Sequence, residues 1–146
     1  MSLITDKVFY NALLSNSELV AAVGGRIENT SIPVPDEEYM NEPLPYIIIT
    51  FDGLQNEGYT KDNSYEGDND KVQISIEVQA DNREQLGELT QAIRTTIISY
   101  FENIEPSAED YELVPDEYTF TASQISYDPD RPCYGQILTY NCDTTP

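Results

Sequence analysis

Lys71 to Gln79, KVQISIEVQ, alternates without a break. Val72, Ile74, Ile76 and Val78 fall on one side of an extended chain, and Gln73, Ser75, Glu77 and Gln79 on the other. That alternation marks a β-strand with one face against a core. Just beyond it the spacing changes. From Asn82 to Glu102 the apolar residues Leu86, Leu89, Ile93, Ile97, Tyr100 and Phe101 recur at helical steps, which predicts a long amphipathic helix. Asp81 is placed to cap it, and Glu84 gives the start a capping-box character. A strand and a helix that each carry one apolar face must bury those faces against each other, the basic unit of an α+β layer.

The chain on either side extends this unit. Tyr46 to Phe51 (YIIITF) reads as a strand apolar on both faces, as expected of a central strand covered twice. Asp52 to Asp70 is rich in Gly, Asn and Asp and reads as a mobile loop or an extended hairpin tip. Nearer the N-terminus, Val8, Phe9, Ala12 and Leu13 stripe a helix over Thr5 to Asn16. Ser17 can cap a short second helix through Val23, and Gly24-Gly25 can end it with positive φ at little cost. Arg26 to Ile32 reads as the first strand, followed by a Pro-framed loop holding Asp36, Glu37, Glu38 and Glu42. After the main helix comes an acidic loop, Asn103 to Pro115, with few apolar anchors and therefore expected to be mobile. Tyr118 to Tyr127 and Tyr134 to Cys142 close the chain as two strands, joined by the turn residues of Asp128 to Pro132. The expected fold is α+β. One mainly antiparallel sheet of about five strands carries the long helix and the N-terminal helical segment on one face, in a single domain over residues 1–146.

Composition narrows function mostly by exclusion. With 146 residues, folding buries about 68–70% of the unfolded surface, so the core needs no metal or disulfide staple. Acids number 27 and bases 7, a formal charge of −20 that repels duplex DNA, RNA and anionic membranes. Histidine is absent, which removes Ser-His-Asp and Cys-His catalysis and His metal ligands. Cys133 and Cys142 stand at an odd offset on one predicted strand, so they point to opposite faces roughly 30 Å apart, beyond disulfide reach. Free thiols point to a reducing compartment. The N-terminal MSLITDKVFYNALL has no signal-peptide pattern, and no apolar run is long enough to span a bilayer.

Three constellations could carry chemistry or contact. Asp62, Asn63, Glu66, Asp68, Asn69 and Asp70 offer hard oxygen ligands, but without the spacing of an EF-hand loop; a solvated loop is the plainer reading, with a cation-binding module as the alternative. Carboxylates are abundant, yet nothing fixes two of them across a cleft as a hydrolase needs. Tyr118, Tyr127, Tyr134 and Tyr140 cluster in the closing hairpin, where cross-strand packing competes with a role in subunit contact. The candidate interface residues are Tyr127, Tyr134 and Tyr140, with Asp52 and Gly53 from the loop after Phe51. No P-loop, dinucleotide-binding, zinc-protease or nucleophile-elbow motif is present, so no catalytic, cofactor or metal residue is assigned.

The order of elements, together with Gly24-Gly25-Arg26-Ile27 in LVAAVGGRIENTSIP, Pro45-Tyr46 in LPYIIITF and the Val72 to Ala92 strand–cap–helix block, resembles bacteriophage tail-completion and tail-terminator-like proteins. The resemblance implies a non-enzymatic virion structural protein of a tailed phage or prophage. It implies a ring, commonly of six subunits, that caps the tail tube and joins it to the head. The partners so implied are other copies, tail-tube and head-connector proteins, with no specific nucleic acid and no membrane. The implied location is the virion tail, with the host cytoplasm before assembly. An acidic DNA mimic that inhibits a nucleic-acid enzyme suits the net charge, but mimicry needs carboxylates in two regular rows and these sit mainly in loops.

Overall fold

A computed structural model describes residues 2–29, 44–56, 69–130 and 132–145. After a 3-10 turn at Ser2–Ile4 come two short helices, α1 (Asp6–Leu14) and α2 (Ser17–Ala22). Strands β1 (Ile27–Asn29), β2 (Tyr46–Gln55) and β3 (Asp70–Ala80) follow, then the long helix α3 (Arg83–Asn103). Strands β4 (Glu117–Ala122), β5 (Ser126–Asp128) and β6 (Cys133–Thr144) complete one sheet. The strand order is β1-β2-β3-β6-β4, with β5 also paired to β6. Among the described strands only the β1–β2 pair is parallel.

The alternation of KVQISIEVQ sets the layer. Residues 70, 72, 74, 76, 78 and 80 are all buried, while Lys71 and Gln73 are exposed on the other face. Register carries the pattern to both neighbours, pairing Ile76 with Ile49 and Leu138, and Ile74 with Phe51 and Tyr140. Leu86, Leu89, Ile93 and Ile97 of α3 are buried, together with Val8, Phe9, Ala12 and Leu13 of α1, in one core cluster. Each such aliphatic side chain, fully buried, contributes about 1.5–3 kcal/mol.

Several expectations shift. Tyr118 to Tyr127 is not one strand: β4 runs along Leu138 to Asp143, and β5 pairs with Cys133 to Gly135, on one edge of the sheet. The break is at Ser123, whose N–H donates to the Ile137 carbonyl at 2.9 Å while its Oγ accepts from the Ile137 N–H at 2.9 Å. A side chain has taken the place of a backbone acceptor, so the ladder stops and restarts. Among the described residues the sheet therefore counts six strands. Strand β2 is also longer than YIIITF, reaching Gln55, with a bulge between Phe51 and Gly53. It is not covered twice: the middle position belongs to β3, and among the described residues no helix lies on the face carrying Ile48 and Thr50.

Caps move by one residue. Asn16, not Ser17, caps α2, its Oδ1 accepting from the N–H groups of Glu18 and Leu19, each at 3.1 Å. Asn82, not Asp81, caps α3 and accepts from the Gln85 N–H at 2.8 Å, while Gln85 Oε1 accepts from the Asp81 N–H at 3.1 Å. Gln85 takes the place expected for Glu84, but it reaches back to the N–H of Asp81, one residue before the cap, so the arrangement is a variant of the capping box.

The stretch from Ile104 to Asp116 is anchored, against the expectation of a mobile loop. It holds a 3-10 turn at Tyr111–Leu113 and buries Asp110, Leu113 and Pro115. Residues 57–68, the greater part of the other loop expected to be mobile, lie outside the described residues. Neither cysteine forms a disulfide, and register puts them on opposite faces as the odd offset predicts: Cys142 pairs with Val72 on the helix side, whereas Cys133 Sγ lies 3.4 Å from Gln79 Oε1 on the other.

Candidate functional site

The five expected interface residues fall in three places. Tyr127 on β5 is 54% exposed and packs on the half-buried Tyr134 of β6, ring centroids 5.0 Å apart. That pair is available to a neighbour. Tyr140 is not: its exposure is 0%. Its ring sits 5.1 Å from Phe9, 5.2 Å from Phe120 and 5.8 Å from Tyr118, with Phe101 edge-on to Phe9 and Tyr118. Alternation along β6 turns it into the core, so Tyr140 is corrected from contact residue to packing residue. Burial, and then the neighbouring Tyr118, push its phenol well above the ordinary tyrosine range, with Arg94 opposing them. No described residue hydrogen-bonds its hydroxyl.

Asp52 and Gly53 form the bulge of β2. The Asp52 carboxylate accepts from the Ser75 hydroxyl and from Gln73 Nε2, the latter at 3.1 Å, and so folds back onto the polar face of β3. A shallow open groove crosses that face, walled by Asp52, Gln55, Gln73, Glu117, Asn141 and the Lys71–Asp143 ion pair. Asp52 lies beside Ser75, whereas Tyr134 pairs with Ala80. Five residues of strand, about 17 Å, separate the two levels. Tyr127–Tyr134 and Asp52–Gly53 therefore mark separate patches.

Of the oxygen-rich loop, Asp62, Asn63, Glu66 and Asp68 lie outside the described residues. Asp70 is buried at the start of β3 and accepts from Asn56 Nδ2 at 2.8 Å, which also donates to the Asn69 carbonyl at 3.2 Å. Its carboxylate closes the β2–β3 hairpin. Among the described residues no group of three or more His, Cys, Asp and Glu side chains is placed to hold a metal ion.

Sequence reading passed over two structural centres. Gly24 and Gly25 take φ of 60° and 77°, ending α2 as expected. Arg26 then lies back over Gly24, where an added Cβ would meet Nη1 at 2.6 Å, and its Nε donates to the Pro45 carbonyl at 2.9 Å. The Arg26 carbonyl accepts from the Ile47 N–H at 3.0 Å. One arginine thus locks the end of α2, the start of β1 and the start of β2, which explains why Gly24 to Ile27 and Pro45-Tyr46 belong together. The second centre is Asp110, 4% exposed, accepting from Tyr100 Oη at 2.7 Å and Asn11 Nδ2 at 3.2 Å. Burial, the hydrogen bond to Asp110 and the Asp110 charge push the Tyr100 phenol up to about 12. Nothing local in the sequence marks this acid among 27.

This α+β layer, its Gly-Gly-Arg-Ile corner and its strand–cap–helix unit all fall within residues 7–142, the span matched by the family model described as tail completion protein gp17. The chain belongs to that family. Tail completion proteins are structural components of phage tails, and this chain is one of them. A solved chain of a virion of a native gene transfer agent particle shares the fold at a TM-score of 0.59 and 11% identity, with 97% of this chain and 94% of that chain covered. No curated protein matches.

Proposed function

We propose that this tail completion protein is a non-enzymatic ring subunit, commonly six to a ring, that closes the head-proximal end of the tail tube and provides the surface to which the filled head joins. The family match over residues 7–142 carries the reading. The architecture supports it. The sheet ends in two free edges among the described residues, β1 on one side and β4 with β5 on the other. Free strand edges are natural templates for a neighbouring chain. A closed ring needs two different surfaces that fit each other, and a sheet with unlike edges supplies them. The net charge of −20 suits a lumen through which DNA passes without adhering, by like-charge repulsion.

The test uses purified protein and growing tail tubes. Electron microscopy should show tubes of defined length with an added density at one end, and such tubes should join filled heads. Tubes that grow on unchanged in its presence and never acquire that density would refute the proposal.

A further inference from the structure

The long helix presents two unlike flanks. Arg83 and Arg94 are exposed and, among the described residues, have no ion-pair partner. They stand eleven residues apart, just over three turns, and so share one flank of α3. The Arg94 guanidinium lies 4.5 Å over the ring of Phe120, which turns this flank toward β4. Arg83 lies along the helix, its Nη1 3.2 Å from the point that a Cβ on Gly87 would occupy. Gly87 and Arg94 are seven residues apart, so the two cations sit about 10 Å apart along the axis. Ile98, one turn beyond Arg94, is 36% exposed.

The other flank borders an open cleft between the start of α2 and the segment after α3. Thr96 and Asn103 line it, half a turn round the helix from Arg83 and Arg94. Glu18 and Glu105 line the same cleft, with Tyr100 and Ile104 supplying apolar surface. Both acids are exposed and, among the described residues, unpaired. Asn16 holds Glu18 at the level of Thr96: its Oδ1 accepts from the Glu18 N–H, and its Nδ2 donates to Thr96 Oγ1 at 2.8 Å. Glu105 follows the helix end, two residues after Asn103. Thr96 and Asn103 are again seven residues apart, about 10 Å. No base stands in the last turn of α3, so the negative end of its dipole adds to the two carboxylates.

We propose that the Arg83–Arg94 flank of α3 docks in the Glu18–Glu105 cleft of a second copy of this chain. The inference rests on the ring reading above and names the two surfaces that meet. Two bases on a projecting helix flank match two acids on one concave cleft, at a similar interval along the helix, and Ile98 can meet the apolar lining. Copies that repel overall associate where bases meet acids. Because the two surfaces lie on opposite flanks of one helix, every copy can use both at once, as a closed ring of heterologous contacts requires.

A charge-exchange experiment tests this. Arg83→Glu/Arg94→Glu and Glu18→Lys/Glu105→Lys are compared with the unaltered chain by sedimentation velocity over a concentration series at fixed salt, and by the fraction of tail tubes each caps. Circular dichroism confirms that each variant is folded. Each variant alone should associate at least about tenfold more weakly, the scale of losing a close interfacial charge pair. Glu18→Lys/Glu105→Lys is the sharper case. It reduces the net charge from −20 to −16, so overall repulsion alone would make it associate more strongly. An equimolar mixture should recover association, because every contact in an alternating ring again joins a base to an acid. Unaltered or stronger association by either variant, or no recovery in the mixture, overturns the inference and leaves the ring reading standing. Loss of tube binding by Arg83→Glu/Arg94→Glu with self-association kept also overturns it, since the flank would then serve a tube protein. If the unaltered chain neither associates nor caps tubes, the ring reading fails and takes the inference with it.

Discussion

Tyr140 and Asp110 show how differently two buried polar groups can behave. The Tyr140 ring fills the centre of an aromatic cluster, while its hydroxyl has no partner among the described residues. A desolvated hydroxyl without a hydrogen bond is a net cost. Tyr140→Phe should therefore leave the melting temperature unchanged or raise it, whereas Tyr140→Ala should lose about 3–5 kcal/mol through the cavity it opens. Thermal melts of the two variants check this, and a large loss for Tyr140→Phe would show a hydrogen bond that matters. Asp110 is fully employed, taking bonds from α1 and α3. Asp110→Ala should cost about 1–3 kcal/mol, because it strands the Tyr100 hydroxyl and the Asn11 amide, and Asp110→Asn should cost less. The Tyr100 phenol is raised from 10.0 to about 12, so the folded state holds this proton more tightly than the unfolded state does. Its contribution is intact below pH 10 and is lost as pH rises through about 12. Urea midpoints across that window should fall for the native chain, with a shallower slope in Tyr100→Phe.

At the scale of elements, α3 and the segment after it are the sensitive parts. Ile93 is fully buried between helix and sheet. Ile93→Asp places an uncompensated charge there and should cost several kcal/mol, on the order of the total stability. A soluble Ile93→Asp variant with a cooperative melt would contradict the packing. The Ile104 to Asp116 segment has its own anchors in Asp110 and Leu113. Amide exchange at Leu113 should therefore be slow in the isolated subunit, since its N–H donates to the Asp110 carbonyl at 3.0 Å. The strand–cap–helix unit was legible because it is local: periodicity and a cap are properties of neighbouring residues. The anchoring of 104–116 was not, since the bonds to Asp110 come from Asn11, far away in sequence, and from Tyr100, whose place in the helix stripe gives no hint that its hydroxyl turns to Asp110.

For the whole molecule, charge governs association. Copies carrying −20 each repel most at low ionic strength, where the Debye length is long. Light scattering should show self-association rising as salt is raised from about 0.01 to 0.15 M, over which the screening length falls from about 30 to 8 Å. A mass that never grows with salt or concentration, on or off tail tubes, would count against a ring. The interface candidates read from sequence were dispersed by the fold: Tyr127 and Tyr134 remain on the surface, Tyr140 enters the core, and Asp52 and Gly53 lie at another level of the sheet. Exposed tyrosines and core tyrosines obey the same strand preference, so residue type could not separate them.

By itself the sequence determined the α+β layer, the face of β3 that is buried, the long helix and its start to within one residue, and the opposite-facing thiols. Each follows from a short-range period or a turn residue. Tertiary structure alone decided which strand sits in the middle, where the edge strand breaks, that Arg26 joins three elements, and that Asp70 and Asp110 are the acids drawn under cover among the described residues. These are contacts between residues distant in the chain, and no local preference encodes them.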